Sequence, residues 1–287
     1  MNDKQPTGAS PHVATTRCTD GYPLQIAAFE PARANGQLVL LAAAAGVPGR
    51  FYHPYAAWLA RHGYTAVAWD WRGMGDNRPE NLRGFEATMT DWATLDFPAV
   101  IDWAYERYGM PMIGIGHSFG GQAFGLAGRN ERFSRLVLIA AGTGYLGLLP
   151  GVRRYLYWGV ISALSGLTRL YGYLPGKSLG LGADVPKGVA LEWFRWCRRP
   201  EYLGNWEGHR RFTVPVQSIG FSDDHFAPPD ARQWLLDQYS RAETGFVTVA
   251  PQDACLEAIG HLDFFRRRHE ETLWPLTLPL LESGIPG

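Results

Sequence analysis

Short apolar runs without polar alternation recur at residues 38–43, 65–69, 112–115, 136–140, 214–219 and 246–249. Runs of this length suit parallel strands buried on both faces. Ahead of them, residues 13–18 and 24–29 flank the turn residues Thr19, Asp20, Gly21, Tyr22 and Pro23, which is a hairpin signal. Helical patterns fill the intervals: residues 54–62 closing at Gly63, 91–108 closing at Gly109, 120–129, 229–239, and a last helix within 263–281. Strand and helix alternate, so the pattern predicts an α/β fold: a doubly wound, mostly parallel sheet of about eight strands flanked by helices.

One interval breaks the alternation. Residues 145–211 show no strand, while 152–171 and 187–199 have helical spacing. The expected organisation is a disordered tail over 1–12, a core over 13–144 and 212–287, and a helical cap over 145–211, inserted after the sixth strand at the sheet edge where such folds bind ligands.

Composition narrows the function classes. With 27 Lys+Arg against 27 Asp+Glu there is no overall field for polyanions, and nucleic acid is not expected as a partner. Cys18, Cys197 and Cys255 form neither a disulfide framework nor a metal cluster, which predicts a reducing, cytoplasmic setting. The polar stretch 1–11 has no apolar signal region, and the longest apolar run, 155–168, is too short to span a bilayer, so no integral membrane segment is expected.

The segment Gly116-His117-Ser118-Phe119-Gly120 matches G-x-S-x-G, a pattern expected by composition roughly 0.14 times in such a chain. Gly176-Lys177-Ser178-Leu179-Gly180 matches as well, so the pattern alone is weak. Context separates them. The first follows the apolar run 112–115 and opens a helix rich in small residues, the strand–turn–helix setting in which a strained serine exposes its hydroxyl; the second follows Pro175 and reads as a turn within the cap.

A serine nucleophile needs a base and an acid, which in this type of fold follow it in the order acid, then histidine. The run 214–219 leads into Asp223-Asp224-His225, with Asp224 the first choice of acid and Asp223 the alternate. Among later histidines, His225 lies too close to the acid, and His269 falls among Arg266–Arg268 on what reads as a solvated helix face. His261, after the last strand, is left as base. Two backbone N–H donors for the oxyanion are expected from Phe119 and from the loop after the third strand, with Val47 first and Gly46 behind it.

Residues 45–52, Trp69-Asp70-Trp71-Arg72-Gly73-Met74-Gly75, 116–121, 223–228 and Gly260-His261 together resemble the α/β-hydrolase superfamily over nearly the whole chain from Val13 onward. Gly46-Val47-Pro48, Arg83-Gly84-Phe85, Gly120-Gly121-Gln122 and 221–228 are similar to bacterial members near the serine aminopeptidase and monoglyceride-lipase-like group. The resemblance implies a Ser-His-Asp hydrolase with a lid and fixes no substrate; the leading reading of the residues is an esterase- or lipase-type serine hydrolase acting on a small acyl ester, with no cofactor or metal implied. Asp70 and Arg72 match a motif that is mainly structural there, and Ala45-Gly46 stands where many relatives carry His-Gly. Acyl transfer to another acceptor, peptidase action and a non-catalytic ligand-binding scaffold are the alternatives. The cap, with ten Arg+Lys against four Asp+Glu and four of 11 tryptophans, suits either an aromatic acyl or aryl pocket with arginines for an anionic head group or membrane surface, or simple helix packing with a solvated basic face.

Overall fold

A computed structural model describes residues 10–204 and 206–282 of the chain. Eight strands form one sheet: β1 (His12–Arg17), β2 (Pro23–Phe29), β3 (Leu38–Ala42), β4 (Thr65–Trp69), β5 (Met112–His117), β6 (Phe133–Ile139), β9 (Val216–Phe221) and β10 (Thr244–Val249). Their order is β1-β2-β4-β3-β5-β6-β9-β10. β2 runs antiparallel to both β1 and β4, and every other pairing is parallel. The central strands β3, β4, β5 and β9 are buried at every position, as helices on both faces of a parallel sheet require.

Strand order reverses at β3, which lies between β4 and β5. The loops leaving the carboxyl ends of β3 and β5 therefore part to opposite faces, and the crevice between them is the place for a ligand. The buried ion pair that shapes this edge is Arg72 with Asp96, Nε to Oδ1 at 2.6 Å, joined by Asp20 at 2.5 Å. Asp96 is delivered by a π turn, Trp92–Asp96, set between the capped turn Met89–Asp91 and the helix Phe97–Tyr108. Burial pushes the Asp96 carboxyl up to about 6 in spite of the guanidinium beside it.

Several sequence expectations are corrected. His12 belongs to β1, so the expected tail does not reach residue 12, and residues 1–9 of it lie outside the described residues. The helix expected over 120–129 closes after Phe119–Ala123. Beyond it the backbone presses on a neighbouring segment: a Cβ at Gly125 would stand 2.1 Å from the His209 ring. The expected last helix is instead three 3₁₀ turns, Asp263–Phe265, Arg267–His269 and Trp274–Thr277, followed by Leu278–Glu282. Pro275 and Pro279 withdraw backbone donors there, and Trp274 is locked by its indole N–H on the Phe264 carbonyl at 2.6 Å.

Between β6 and β9 stand two longer helices, Arg153–Tyr171 and Lys187–Trp196, packed on each other, with a short one, Gly176–Leu179, between them. A two-residue ladder between β7 (Tyr173–Leu174) and β8 (Val185–Pro186) also lies in this insert; so short a pair leaves no periodicity to read. The insert is fastened to the core by polar contacts. The Ala183 N–H donates to the Gly46 carbonyl at 2.9 Å, Thr90 donates through N and Oγ1 to Glu192, and Arg78 pairs with Asp184 at 3.2 Å. No helix of the described residues is long and apolar enough to cross a membrane.

Replacing Arg72 by methionine leaves Asp96 buried without its cation, and chemical denaturation is expected to record a loss of about 3–5 kcal/mol.

Candidate active site

β5 ends at His117 and the chain turns at once into the helix Phe119–Ala123. Ser118, at the corner, has φ 52° and ψ −118°, a conformation that a side chain makes strained. The corner is too tight for neighbouring side chains: a Cβ at Gly116 would lie 2.5 Å from Gly121 Cα, and one at Gly120 would lie 2.0 Å from the Ala42 carbonyl oxygen. The two glycines of the motif are thus required by close approach of backbone to backbone. Among the described residues the Ser118 hydroxyl has no hydrogen-bond partner, His261 included. Ser178 lies exposed on the short helix Gly176–Leu179, just past the two-residue strand β7, and has no positive φ.

Of the two aspartates after β9, Asp224 is the one joined to His261, Oδ2 to Nδ1 at 2.8 Å. Its other oxygen accepts the N–H groups of Phe226 at 2.8 Å and Ala227 at 3.2 Å. Burial alone would raise this carboxyl, but the hydrogen bond and charge of His261, with the two N–H donors, outweigh it and hold the group below the usual carboxylate range. Asp223 turns elsewhere: its Oδ2 accepts the Ile259 N–H at 2.8 Å and so braces the loop that carries His261. His225 is exposed. His269 is buried beside Arg268 and Thr272, and is not on the solvated face its neighbours suggested.

His117, the first variable residue of the G-x-S-x-G pattern, carries a buried link that the sequence did not reveal. Its Nε2 lies 2.7 Å from the His261 carbonyl oxygen and its Nδ1 lies 2.8 Å from the Tyr52 hydroxyl, which in turn accepts the Ala44 N–H at 2.9 Å. A carbonyl only accepts, so Nε2 bears the proton, Nδ1 accepts from Tyr52, and the ring is neutral. Burial, reinforced by His261, lowers the His117 imidazole to about 3, and burial raises the Tyr52 phenol so that it keeps its proton. One chain of hydrogen bonds therefore ties the loop after β3, the corner at Ser118 and the backbone of His261. The signal for it was the aromatic Phe51-Tyr52 pair just past the loop, which sequence reasoning passed over.

Phe119 opens its helix with an N–H that has no partner among the described residues. The Val47 N–H closes a turn on the Ala44 carbonyl at 3.3 Å and is spent there, whereas the Ala45 and Gly46 N–H groups have no partner among the described residues. Asp70, buried, receives the Gly49 N–H at 2.6 Å and the Asp76 N–H at 3.0 Å, so it fixes this loop from behind.

The family described as serine aminopeptidase, S33, matches residues 33–167. No curated protein sequence matches the chain. Among solved structures, DcsB in complex with its substrate analogue is 14% identical with a TM-score of 0.69, covering 96% of this chain and 100% of its own. The esterase Pf2001 of Pyrococcus furiosus is 15% identical with a TM-score of 0.63, covering 98% and 93% respectively. The monoacylglycerol lipase of Paleococcus ferrophilus is 15% identical with a TM-score of 0.59, covering 90% and 98%.

The buried neutral His117 sets an acid limit to stability. An unfolded imidazole takes up a proton as pH falls through 6.5, while the folded one waits until about 3, so stability is full above 6.5 and is lost across that window. His117→Gln is expected to flatten the slope of unfolding free energy against pH there by up to about 1.4 kcal/mol per pH unit, measured by urea titration at each pH.

Proposed function

We propose that this chain, which has the α/β-hydrolase fold, is a serine hydrolase that cleaves a carboxylic ester through Ser118, His261 and Asp224. The observation that carries it is the pairing of Asp224 with His261 at 2.8 Å beside a serine held at a strained strand–helix corner. His261 is drawn against that corner by its carbonyl bond to His117 and by ring contact with it at 5.1 Å between centroids. The overall likeness to an esterase and to a monoacylglycerol lipase supports the ester reading.

In this mechanism Ser118 Oγ attacks the ester carbonyl, and His261 Nε2 takes the hydroxyl proton and hands it to the leaving alcohol. Asp224, ionised and anchored by two N–H groups, keeps the His261 proton on Nδ1 and stabilises the imidazolium as it forms. The oxyanion meets Phe119 N–H and a backbone N–H of the loop after β3, where the Ala45 N–H and the Gly46 N–H, the second choice from the sequence, have no partner among the described residues. Water then repeats the sequence in reverse and frees the acid. The insert over residues 145–211 acts as a lid, resting on the oxyanion loop through Ala183 and Gly46. A reducing, cytoplasmic setting agrees with three free cysteines, of which Cys255 is exposed.

A fluorophosphonate probe is expected to label the native protein on Ser118, mapped by peptide mass, and to leave Ser118→Ala unlabelled. Labelling of the folded variant at an equal rate, or a native protein that neither labels nor turns over short p-nitrophenyl esters, overturns the proposal. The two aspartates are told apart by rate. Asp224→Asn is expected to lower kcat by roughly a thousandfold or more, and Asp223→Asn, which loses only a loop brace, by roughly tenfold or less.

A further inference from the structure

The helix Arg153–Tyr171 is patterned inside out. Its buried positions are Ile161, Ser165 and Thr168, and both hydroxyls are turned back on carbonyls of their own helix, Ile161 and Leu164, at 2.7 Å. The opposite face, from Val152 just before the helix to Leu170, is apolar and bare: Val152 and Leu170 are 79% exposed and Leu156 is 65% exposed. A helix that serves only its own domain shows the reverse arrangement. Two glycines lie on the same outer face, and a Cβ at Gly159 or Gly166 would meet nothing within 4 Å. Packing within the chain asks for neither, although each weakens a helix relative to alanine.

We infer that this face is covered by the same face of a second copy of the chain, as an antiparallel helix pair about a two-fold axis level with residue 161. Val152, Leu156, Gly159, Ala163, Gly166 and Leu170 follow the alternating four- and three-residue spacing of a helix–helix seam. In the antiparallel register Val152 meets Leu170, Leu156 enters the gap over Gly166, and Gly159 meets Ala163, so every bulky position opposes a small one or an end residue. The face is self-complementary, as a two-fold interface must be. The helix has no acidic residue, and its arginines stand outside the seam: Arg153 and Arg169 come level in this register but flank opposite sides of the pair, so like charges are kept apart.

An anionic lipid surface is the competing occupant, and the flanks speak against it. The Arg154 guanidinium is folded over the Tyr155 ring at 4.9 Å, and Arg198 lies over Trp158 at 5.0 Å, so these cations and aromatics are engaged with one another. A seam lined by Gly159 and Gly166 also offers a bilayer little apolar surface, whereas it lets two backbones approach closely. One helix pair buries an area at the low end for stable complexes, under about 1,200 Å², so the dimer is expected to dissociate on dilution at micromolar concentration.

Sedimentation velocity on the full chain from roughly 1 to 100 μM tests this. The expected result is a shift from the 31.9 kDa monomer towards twice that mass, abolished by Leu156→Glu, whose exposed position leaves the thermal melt unchanged. In a Cys255→Ser background, Val160→Cys is expected to form a covalent dimer with a short bismaleimide, because the two copies of residue 160 lie only about 3 Å apart along the pair. Val152→Cys is not, since the two copies would be separated by about 27 Å along the pair. A native chain that stays monomeric throughout overturns the inference. So do a dimer that survives Leu156→Glu, equal cross-linking of both cysteine variants, and a monomer that instead sediments with phosphatidylglycerol vesicles.

Discussion

Everything at the site hangs on one crowded corner. The backbone of Ser118 is held at φ 52° because β5 must stop under the start of a helix with Gly116 against Gly121 and Gly120 against Ala42. The cost of that conformation is borne by what surrounds it: the Ser118 N–H is fixed on the Ile139 carbonyl of β6 at 3.1 Å, and Phe119 is packed among Trp71 and Trp92. A corner braced on both sides keeps the serine hydroxyl outward, the condition for the nucleophilic role proposed for it.

The electrostatics around the corner divide the titratable groups by environment. Asp224 is buried yet stays ionised, because His261 and two backbone N–H groups replace the water it lost. His117 is buried with a single protonated nitrogen aimed at a carbonyl, so it stays neutral and acts as a fixed strut. Two histidines 5.1 Å apart thus have different duties: one carries its proton on Nδ1 towards a carboxylate, and the other binds the backbone of the first. Further out, Arg72 and Asp96 hold the loop after β4, and Asp70 holds the loop after β3, so both loops are set by buried carboxylates.

The insert joins this frame through polar contacts at its margins and packs its two longer helices on each other, which leaves the outer face of Arg153–Tyr171 without an intramolecular partner. Fastening at Gly46 couples its position to the loop that supplies a backbone donor to the proposed oxyanion hole.

The sequence was legible wherever short-range physics decides. Unbroken apolar runs marked the buried parallel strands, glycines on either side of Ser118 marked the corner, and the rule of chain order narrowed the acid to Asp223 or Asp224 and the base to His261. It was illegible where the outcome depends on which distant groups meet. Nothing local to Asp223 and Asp224 says which carboxylate turns to His261 and which to the Ile259 N–H. Nothing local to His117 says that Tyr52 and the His261 carbonyl will close around it, and nothing local to Val47 says that its N–H will be spent on Ala44 while Ala45 stays free. Periodicity and steric need are properties of neighbours along the chain, so the sequence alone determined the strands, the corner and the candidate chemistry. Hydrogen-bond partnership among buried groups is settled only by three-dimensional packing, so the tertiary structure decided which donor faces which acceptor.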